Sequence, residues 1–351
     1  MSLRIDIPGA EPLRAGACQV IAEAGANHNN SVDRAIEMAA RARRAGAWAI
    51  KFQLYRADTI AVPASPKYWT DSIGTATQYE AFTLSDQLDY REYGRVAQAC
   101  RDLGILFFAT PFDLDAVEAL EGMGAPLYKL ASGDITHREL IEAVAATGKP
   151  VMLSTGAAEI DEIRRAIGWA NLPPERLVVL LCTLTYPTPD TDAHCARLPT
   201  LAAELAPYLV GVSDHTLGIA GGWMTAALGG VCIEKHYTID KRLPDVPDHA
   251  ISVDADELGQ LVAACRRGAT LRGSPELAVL PSELPAREGA RRSVVLEREV
   301  GGGTVLTRAD IGFKRPGTGI EPWRAGEVIG RVAARSMPRG TVLSFADLRP
   351  A

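Results

Sequence analysis

Two histidines, His215 and His236, stand just past the ends of successive apolar runs, in the segments VGVSDH and VCIEKH. Neutral imidazoles brought together from neighbouring parallel strands hold a divalent metal and leave several coordination positions to substrate and water, an arrangement suited to Mn, Fe, Co or Zn in an open site. Glu234 lies two residues before His236, so on a strand it points the same way and can hold a metal-bound water. Lys51 and Lys129 close other apolar runs, and a lysine ending a buried strand needs an anionic partner or ligand. With the hydroxyls of Ser132, Ser154 and Ser213 they form a cradle for phosphate or carboxylate. No glycine-rich phosphate loop follows a strand, which argues against a nucleotide and for a small phosphorylated acid. His28 and His249 are further metal candidates in loops, whereas His137 and His194 read as surface or capping residues.

These groups need a scaffold that brings distant segments to one place. Short apolar runs at 19–24, 47–53, 105–110, 127–131, 150–154, 177–182, 209–213 and 231–236 alternate with stretches of helical period such as 32–45, 90–103, 138–146, 159–170 and 256–267. The alternation predicts a parallel sheet of eight βα units, the number that closes a (β/α)8 TIM barrel. Polar residues gather where the runs end: Glu23, Lys51 with Gln53, Thr110 with Asp113, Lys129 with Ser132 and Asp134, Ser154 with Thr155, Thr183 with Tyr186, Ser213 with His215, and Glu234 with His236. Catalytic groups of such barrels collect at that face. Helix capping is the plain alternative for Asp113, Ser132 and Thr155. The expected domains are a barrel over 1–272, a proline-rich linker over 273–290, and a small β-rich module over 291–351.

Composition narrows the function class. At 351 residues the chain fits one large barrel plus a small module, and 47% hydrophobic with 23% charged residues describes a globular protein with ample core. A net charge of −6 with no basic run argues against a nucleic-acid surface. The six cysteines lack CxxC pairing and read as buried thiols of a reducing compartment. No leader pattern and no long apolar stretch is found, so no membrane contact is expected and the cytoplasm is the expected location.

The stretches IAEAGANHNNS, GAWAIKFQ, FFATPFD, YKLASGDITHRELI, GKPVMLSTG, CTLTYPTP, VGVSDHTLG, IEKHYTIDK and PDHAIS, followed by RRSVV and KRPGTGI, closely resemble the sialic acid synthase family, which makes N-acetylneuraminate and related nonulosonates. They follow the family's order over nearly the whole chain, and the tail resembles the family's SAF module, similar to type III antifreeze protein. The resemblance implies metal-dependent condensation of phosphoenolpyruvate (PEP) with an open-chain N-acylated hexosamine, N-acetylmannosamine or a relative, with phosphate leaving by C–O cleavage. It implies that His215 and His236 bind the metal, with Mn2+ expected and Mg2+ or Co2+ as alternatives. Glu23 would orient or deprotonate the attacking water, while Lys51, Lys129, Ser132, Ser154 and Ser213 hold PEP. Gln53, Asp134, Tyr186 and Asp248 would contact the sugar, with Tyr186 and Asp248 also in catalytic positions. Arg315 matches an arginine inserted into the barrel mouth of the other subunit, which implies a domain-swapped homodimer.

The chain departs from the family at three places. Asp134 stands where glutamate is usual, so its shorter arm leaves the identity of the acceptor sugar open. Leu184 replaces an Asn or Ser near PEP, and Asn30 replaces a common glycine, a mild change because Asn tolerates the left-handed conformation. The competing readings are a PEP synthase of the Kdo phosphate or DAHP type, Schiff-base aldolase chemistry at Lys51 or Lys129, and a carbohydrate-binding protein with an inactive barrel.

Overall fold

The computed structural model describes residues 3–69, 74–244 and 246–350. Eight parallel strands form a closed barrel in sequence order. They are β1 (Gln19–Gly25), β2 (Ala49–Leu54), β3 (Leu106–Pro111), β4 (Tyr128–Leu130), β5 (Val151–Ser154), β6 (Leu177–Cys182), β7 (Leu209–Asp214) and β8 (Cys232–His236). Closure is made by β8 against β1, with Cys232 opposite Gln19 and His236 opposite Glu23. Each expected apolar run became a strand, with ends shifted by a residue or two. The run from residue 47 enters the sheet only at Ala49, because the amide of Ala47 still bonds the carbonyl of Ala42 at the end of the preceding helix.

Side chains alternate along each strand, so a two-residue period separates the barrel interior from the layer beneath the helices. Outward residues such as Val20, Ala22, Ile50, Phe52, Phe107 and Leu153 join the main core with the helices. Inward residues Ile21, Ala49, Leu106, Phe108, Leu127, Met152, Val178, Leu180 and Cys232 fill the lower barrel. Its floor is the N-terminal segment, a short antiparallel ladder of Arg4–Ile5 with Leu13–Arg14 that contributes Ile5, Ile7 and Leu13 to the same cluster. One step of two further up, the inward set turns polar: Glu23 follows Ile21, Lys51 follows Ala49, Lys129 follows Leu127, Ser154 follows Met152 and Glu234 follows Cys232.

The helices carry ordinary end signals. Val32–Ala45 is capped by Ser31, whose side chain accepts from the amide of Arg34, and stops at Gly46 with φ 86°. Ala255–Arg272 runs five residues beyond its expected end, since nothing breaks it before Gly273. Between β2 and the helix Tyr93–Leu103 lies a long insertion with short helices Ala57–Ile60 and Gln78–Ser85. Among the described residues no helix is long and apolar enough to cross a membrane.

The chain divides into two compact units, Met1–Gly273 and Ser274–Ala351. The stretch expected to be a linker contains the helix Leu284–Ala290, with proline in its first turn. Proline there presets the helical φ rather than breaking the helix, and Ala, Arg and Glu continue it. The remainder is β-rich as expected. Ser293–Leu296 pairs antiparallel with Ile311–Lys314, and Val332–Ala333 with Leu348–Arg349, around Val294, Leu296, Val300, Leu306, Val328 and Leu343.

The floor gives a stability prediction. Ile5 is fully buried, so Ile5→Ala removes contacts that the closed barrel cannot easily refill and is expected to cost about 2–5 kcal/mol. A lowered urea midpoint checks this; an unchanged midpoint would show that the N-terminal segment is no part of the core.

Candidate active site

The upper barrel holds two carboxylates and two ammonium groups, all buried. Lys51 Nζ lies 2.9 Å from Glu23 Oε2 and 3.7 Å from Glu234 Oε1, and Lys129 Nζ lies 3.4 Å from the same Glu234 oxygen. Lys51 also donates to Thr110 Oγ1 at 2.8 Å, Gln53 Nε2 to Glu23 Oε1 at 2.9 Å, and Ser213 Oγ to Glu234 Oε1 at 3.2 Å. Charges so deep are tolerable only when paired.

The two carboxylates are driven apart. Burial raises Glu23 to about 7, a rise that Lys51 opposes and Glu234 reinforces. Burial acts on Glu234 too, but Lys129 and Lys51 overcome it and hold that group down at about 2. For Lys51 the burial penalty is outweighed by Glu23 and Glu234, so its pKa is raised; Lys129, with weaker compensation from Glu234, is lowered. Two carboxylates with opposed shifts, one poised near neutrality and one permanently ionised, are the usual mark of divided acid–base roles.

At the rim the His215 and His236 ring centroids are 5.4 Å apart, and the Tyr186 ring lies 4.2 Å from that of His215. His215 Nδ1 lies 3.0 Å from the carbonyl of Thr183, so in the neutral ring this nitrogen donates and Nε2 keeps its lone pair. His236 Nδ1 lies 3.3 Å from Asp248 Oδ2, and burial, aided by Lys51, lowers His236 to about 3. His215, oriented through Nδ1 by a carbonyl, offers Nε2, and His236 Nδ1 has no hydrogen-bond partner of its own, so the two imidazoles are a donor set that fits a divalent cation. Among the described residues no three or more His, Cys, Asp or Glu side chains form a closed cage, so such a cation would keep open positions.

A cavity of about 440 Å3 unites this chemistry. Its lining includes Glu23, Lys51, Gln53, Lys129, Ser132, Asp134, Ser154, Tyr186, Ser213, His215, Glu234, His236 and Asp248. Of the candidate metal- and substrate-binding residues, the lining lacks only the loop histidines His28 and His249 and Arg315, which is exposed in the C-terminal unit after the strand Ile311–Lys314. Besides Glu23 Oε2, which has its ion pair with Lys51, four polar atoms in the lining, Ser154 Oγ, Asp134 Oδ2, Glu234 Oε2 and His236 Nδ1, are buried without a hydrogen-bond partner. Such atoms are costly unless a ligand satisfies them. Burial raises Asp134 to about 6 and also raises Asp248. Gly25, with φ +50°, sits at the centre: an added Cβ would lie 3.4 Å from Glu23, 3.5 Å from Asp248 and 3.6 Å from Gln53.

Other expectations resolve differently. Asp113 is a helix cap, accepting from the amide of Ala116 at 2.7 Å. Ser132 instead accepts from Gly156 N at 2.9 Å at the cavity edge. Thr155 Oγ1 donates to the carbonyl of Leu180. His28 is buried away from the cavity lining, 3.0 Å from Tyr93 Oη, and His249 Nδ1 lies 2.7 Å from Thr238 Oγ1. Asn30 adopts φ 55°, the left-handed conformation its side chain tolerates. Sequence reasoning missed the aromatic wall of Tyr55, Tyr68, Trp69 and Phe82, all from the β2 insertion. The aromatic residues of that polar stretch were the available signal.

A NeuB family model matches residues 35–276, and a SAF domain model matches residues 291–349. The chain is 37% identical over 330 residues to an uncharacterised protein of Methanocaldococcus jannaschii, covering 94% of each. It is 36% identical over 342 residues to the N,N'-diacetyllegionaminic acid synthase of Legionella pneumophila, again covering 94% of each. Among solved structures, the N-acetylneuraminic acid synthetase of Leptospira borgpetersenii in complex with citrate superposes with a TM-score of 0.73 at 31% identity, over 82% of this chain and 95% of that one.

The raised Glu23 carboxyl has a consequence for stability. Its folded pKa, about 7, exceeds the usual 4.5, so the folded state holds the proton longer than the unfolded state. The contribution is complete below 4.5 and is lost as pH rises through about 7. Denaturation midpoints of Glu23→Gln and the parent protein, taken across this window, should diverge, the parent falling relative to the variant. Parallel profiles would show that Glu23 ionises normally.

Proposed function

The chain belongs to the NeuB family, and we propose that it is a condensing synthase joining PEP to an open-chain N-acylated hexosamine, giving a nonulosonic acid and phosphate. One observation carries this reading: an ammonium pair, three serine hydroxyls, a near-neutral carboxyl and two oriented imidazoles all line one cavity at the C-terminal mouth of the barrel. A cavity of about 440 Å3 lies within the range of small-molecule sites.

Lys51 and Lys129, with Ser132, Ser154 and Ser213, hold the phosphate and carboxylate of PEP, and Ser154 Oγ gains the partner it lacks. The enol's methylene carbon attacks the aldehyde carbon of the sugar, leaving positive charge on the phosphate-bearing carbon. Glu23 in its ionised form takes a proton from the water that adds there, and its near-neutral pKa suits both accepting and releasing that proton. The C–O bond to phosphate then breaks, and the two ammonium groups meet the charge of the departing phosphate. Gln53, Asp134, Tyr186 and Asp248 orient the sugar. A divalent cation held by His215 and His236, Mn2+ before Mg2+ or Co2+, with Glu234 acting through water, would supply Lewis-acid polarisation of the aldehyde oxygen.

The charge balance of the lining bears on the acceptor. Lys51 and Lys129 face four carboxylates, Glu23, Asp134, Glu234 and Asp248, and the outer two of these, Asp134 and Asp248, belong to the sugar side. A phosphorylated sugar would meet like charge there, which favours an uncharged acceptor over those of the Kdo phosphate or DAHP type. The relative named for N,N'-diacetyllegionaminic acid supports an acceptor with acylated amines. Arg315 completes the sugar site from a second copy in a domain-swapped homodimer. The six free cysteines fit a cytoplasmic setting.

Phosphate release with PEP and Mn2+ should be tested against N-acetylmannosamine, its phosphate ester and diacetamido-dideoxy hexoses. Release is expected with an uncharged N-acyl sugar, with EDTA abolishing it and PEP's bridging oxygen leaving in the phosphate. Failure with every acceptor would end the proposal. His215→Ala and His236→Ala should each lose metal-dependent turnover while staying folded. Mixed dimers of Arg315→Ala with a Glu23→Gln partner should regain activity if the arginine works between subunits; without recovery the swap is wrong.

A further inference from the structure

On the faces of β7 and β8 turned away from the cavity, Asp214 and Lys235 form an ion pair that none of the chemistry above uses. Lys235 stands between Glu234 and His236, both of which line the cavity, so its side chain leaves the strand on the opposite side. Its Nζ lies 2.9 Å from Asp214 Oδ2 and also donates to the carbonyl of Thr216. Asp214 Oδ1 accepts from the amide of Thr216 at 2.9 Å and from its hydroxyl at 2.8 Å. The side chains of Lys235 and Asp214 are 0% and 5% exposed, and the strand register sets the two residues opposite each other.

The network therefore grips the chain on both sides of His215, at Asp214 and Thr216, and fastens it to the residue preceding His236. The cavity side adds its own ties: Thr188 N donates to the His215 carbonyl at 2.9 Å, and Val253 N to the His236 carbonyl at 2.8 Å. Gly221 packs tightly behind the pair, since a Cβ there would lie 2.4 Å from Asp214 Oδ2. Burying two charges brings little stability over a well-packed apolar pair, which is often as stable or more so. What charges with fixed donors add is a single geometry, where apolar contacts permit several.

We propose that Asp214 and Lys235 are positioning residues that hold the His215 and His236 imidazoles in the relation needed to bind one divalent cation. This rests on the metal-binding reading of those histidines. Neither side chain touches substrate or metal; both act through the backbone of their neighbours.

The test is Mn2+ binding to the full-length protein, measured calorimetrically without substrate, beside thermal melting. In Asp214→Leu/Lys235→Met both charges go together, so the melting temperature should hold or rise while Mn2+ affinity falls by about 10- to 100-fold, the usual effect of removing support behind metal ligands. Should that variant fail to fold, Asp214→Asn/Lys235→Met also removes both charges but keeps an acceptor for the Thr216 amide and hydroxyl, and is expected to bind Mn2+ more weakly at an unchanged melting temperature. Unchanged affinity in the folded variant overturns the proposal. An affinity loss that tracks a fall in melting temperature marks a merely structural pair and overturns it too. If the parent protein binds no Mn2+, or binds it equally after His215→Ala, the metal reading itself fails and takes this one with it, a result distinct from failure of the pair alone.

Discussion

Four opposite charges share the upper barrel of this protein, and the rest of the site depends on their balance. Glu23, Lys51, Lys129 and Glu234 come from four different strands and are all buried. Any one of them alone would face a desolvation cost of several kcal/mol. Together they stand as two linked pairs, Glu23 with Lys51 and Glu234 with both lysines. Because the lysines are shared unequally, one carboxyl is left near neutrality and the other is driven to about 2. The asymmetry thus arises from ordinary alternation along strands: the charges are the inward residues one step above an apolar layer.

That layered construction explains why much of the molecule was legible before any coordinates. Strand alternation is a local signal, and buried parallel strands announce themselves as unbroken apolar runs such as LVVLLC. Polar residues at the ends of those runs had to meet at one mouth once the sheet closed, and Lys51, Lys129, His215 and His236 did so. The β2 insertion was opaque for the opposite reason. Tyr55, Tyr68, Trp69 and Phe82 owe their place to tertiary packing across a segment with no sustained period, so neither helical nor strand templates register them. The helix Leu284–Ala290 was not legible because its proline-rich surroundings have the composition of a linker, although proline stands comfortably in a helix's first turn.

Family resemblance and physical reading did different work. Asp248 lies in the short 3-10 helix Pro247–Ile251 after β8, with no strand to aim it, and only the resemblance marked it as a candidate; the structure puts its carboxylate 3.3 Å from His236 Nδ1. The lysines needed no such help, since the cost of burying an unpaired ammonium already demanded partners. Asn30 shows the two agreeing: a departure from the usual glycine survives because its backbone sits at φ 55°, and its side chain reaches across to the insertion, donating to Leu84 O and accepting from Gln87 N.

The barrel floor also bears on closure of the ring. Ile5, Ile7 and Leu13 rest on residues from β1 through β8, between Ile21 and Cys232. Their seat is complete only where β8 has closed on β1, so this short segment ties together residues more than two hundred positions apart in the chain.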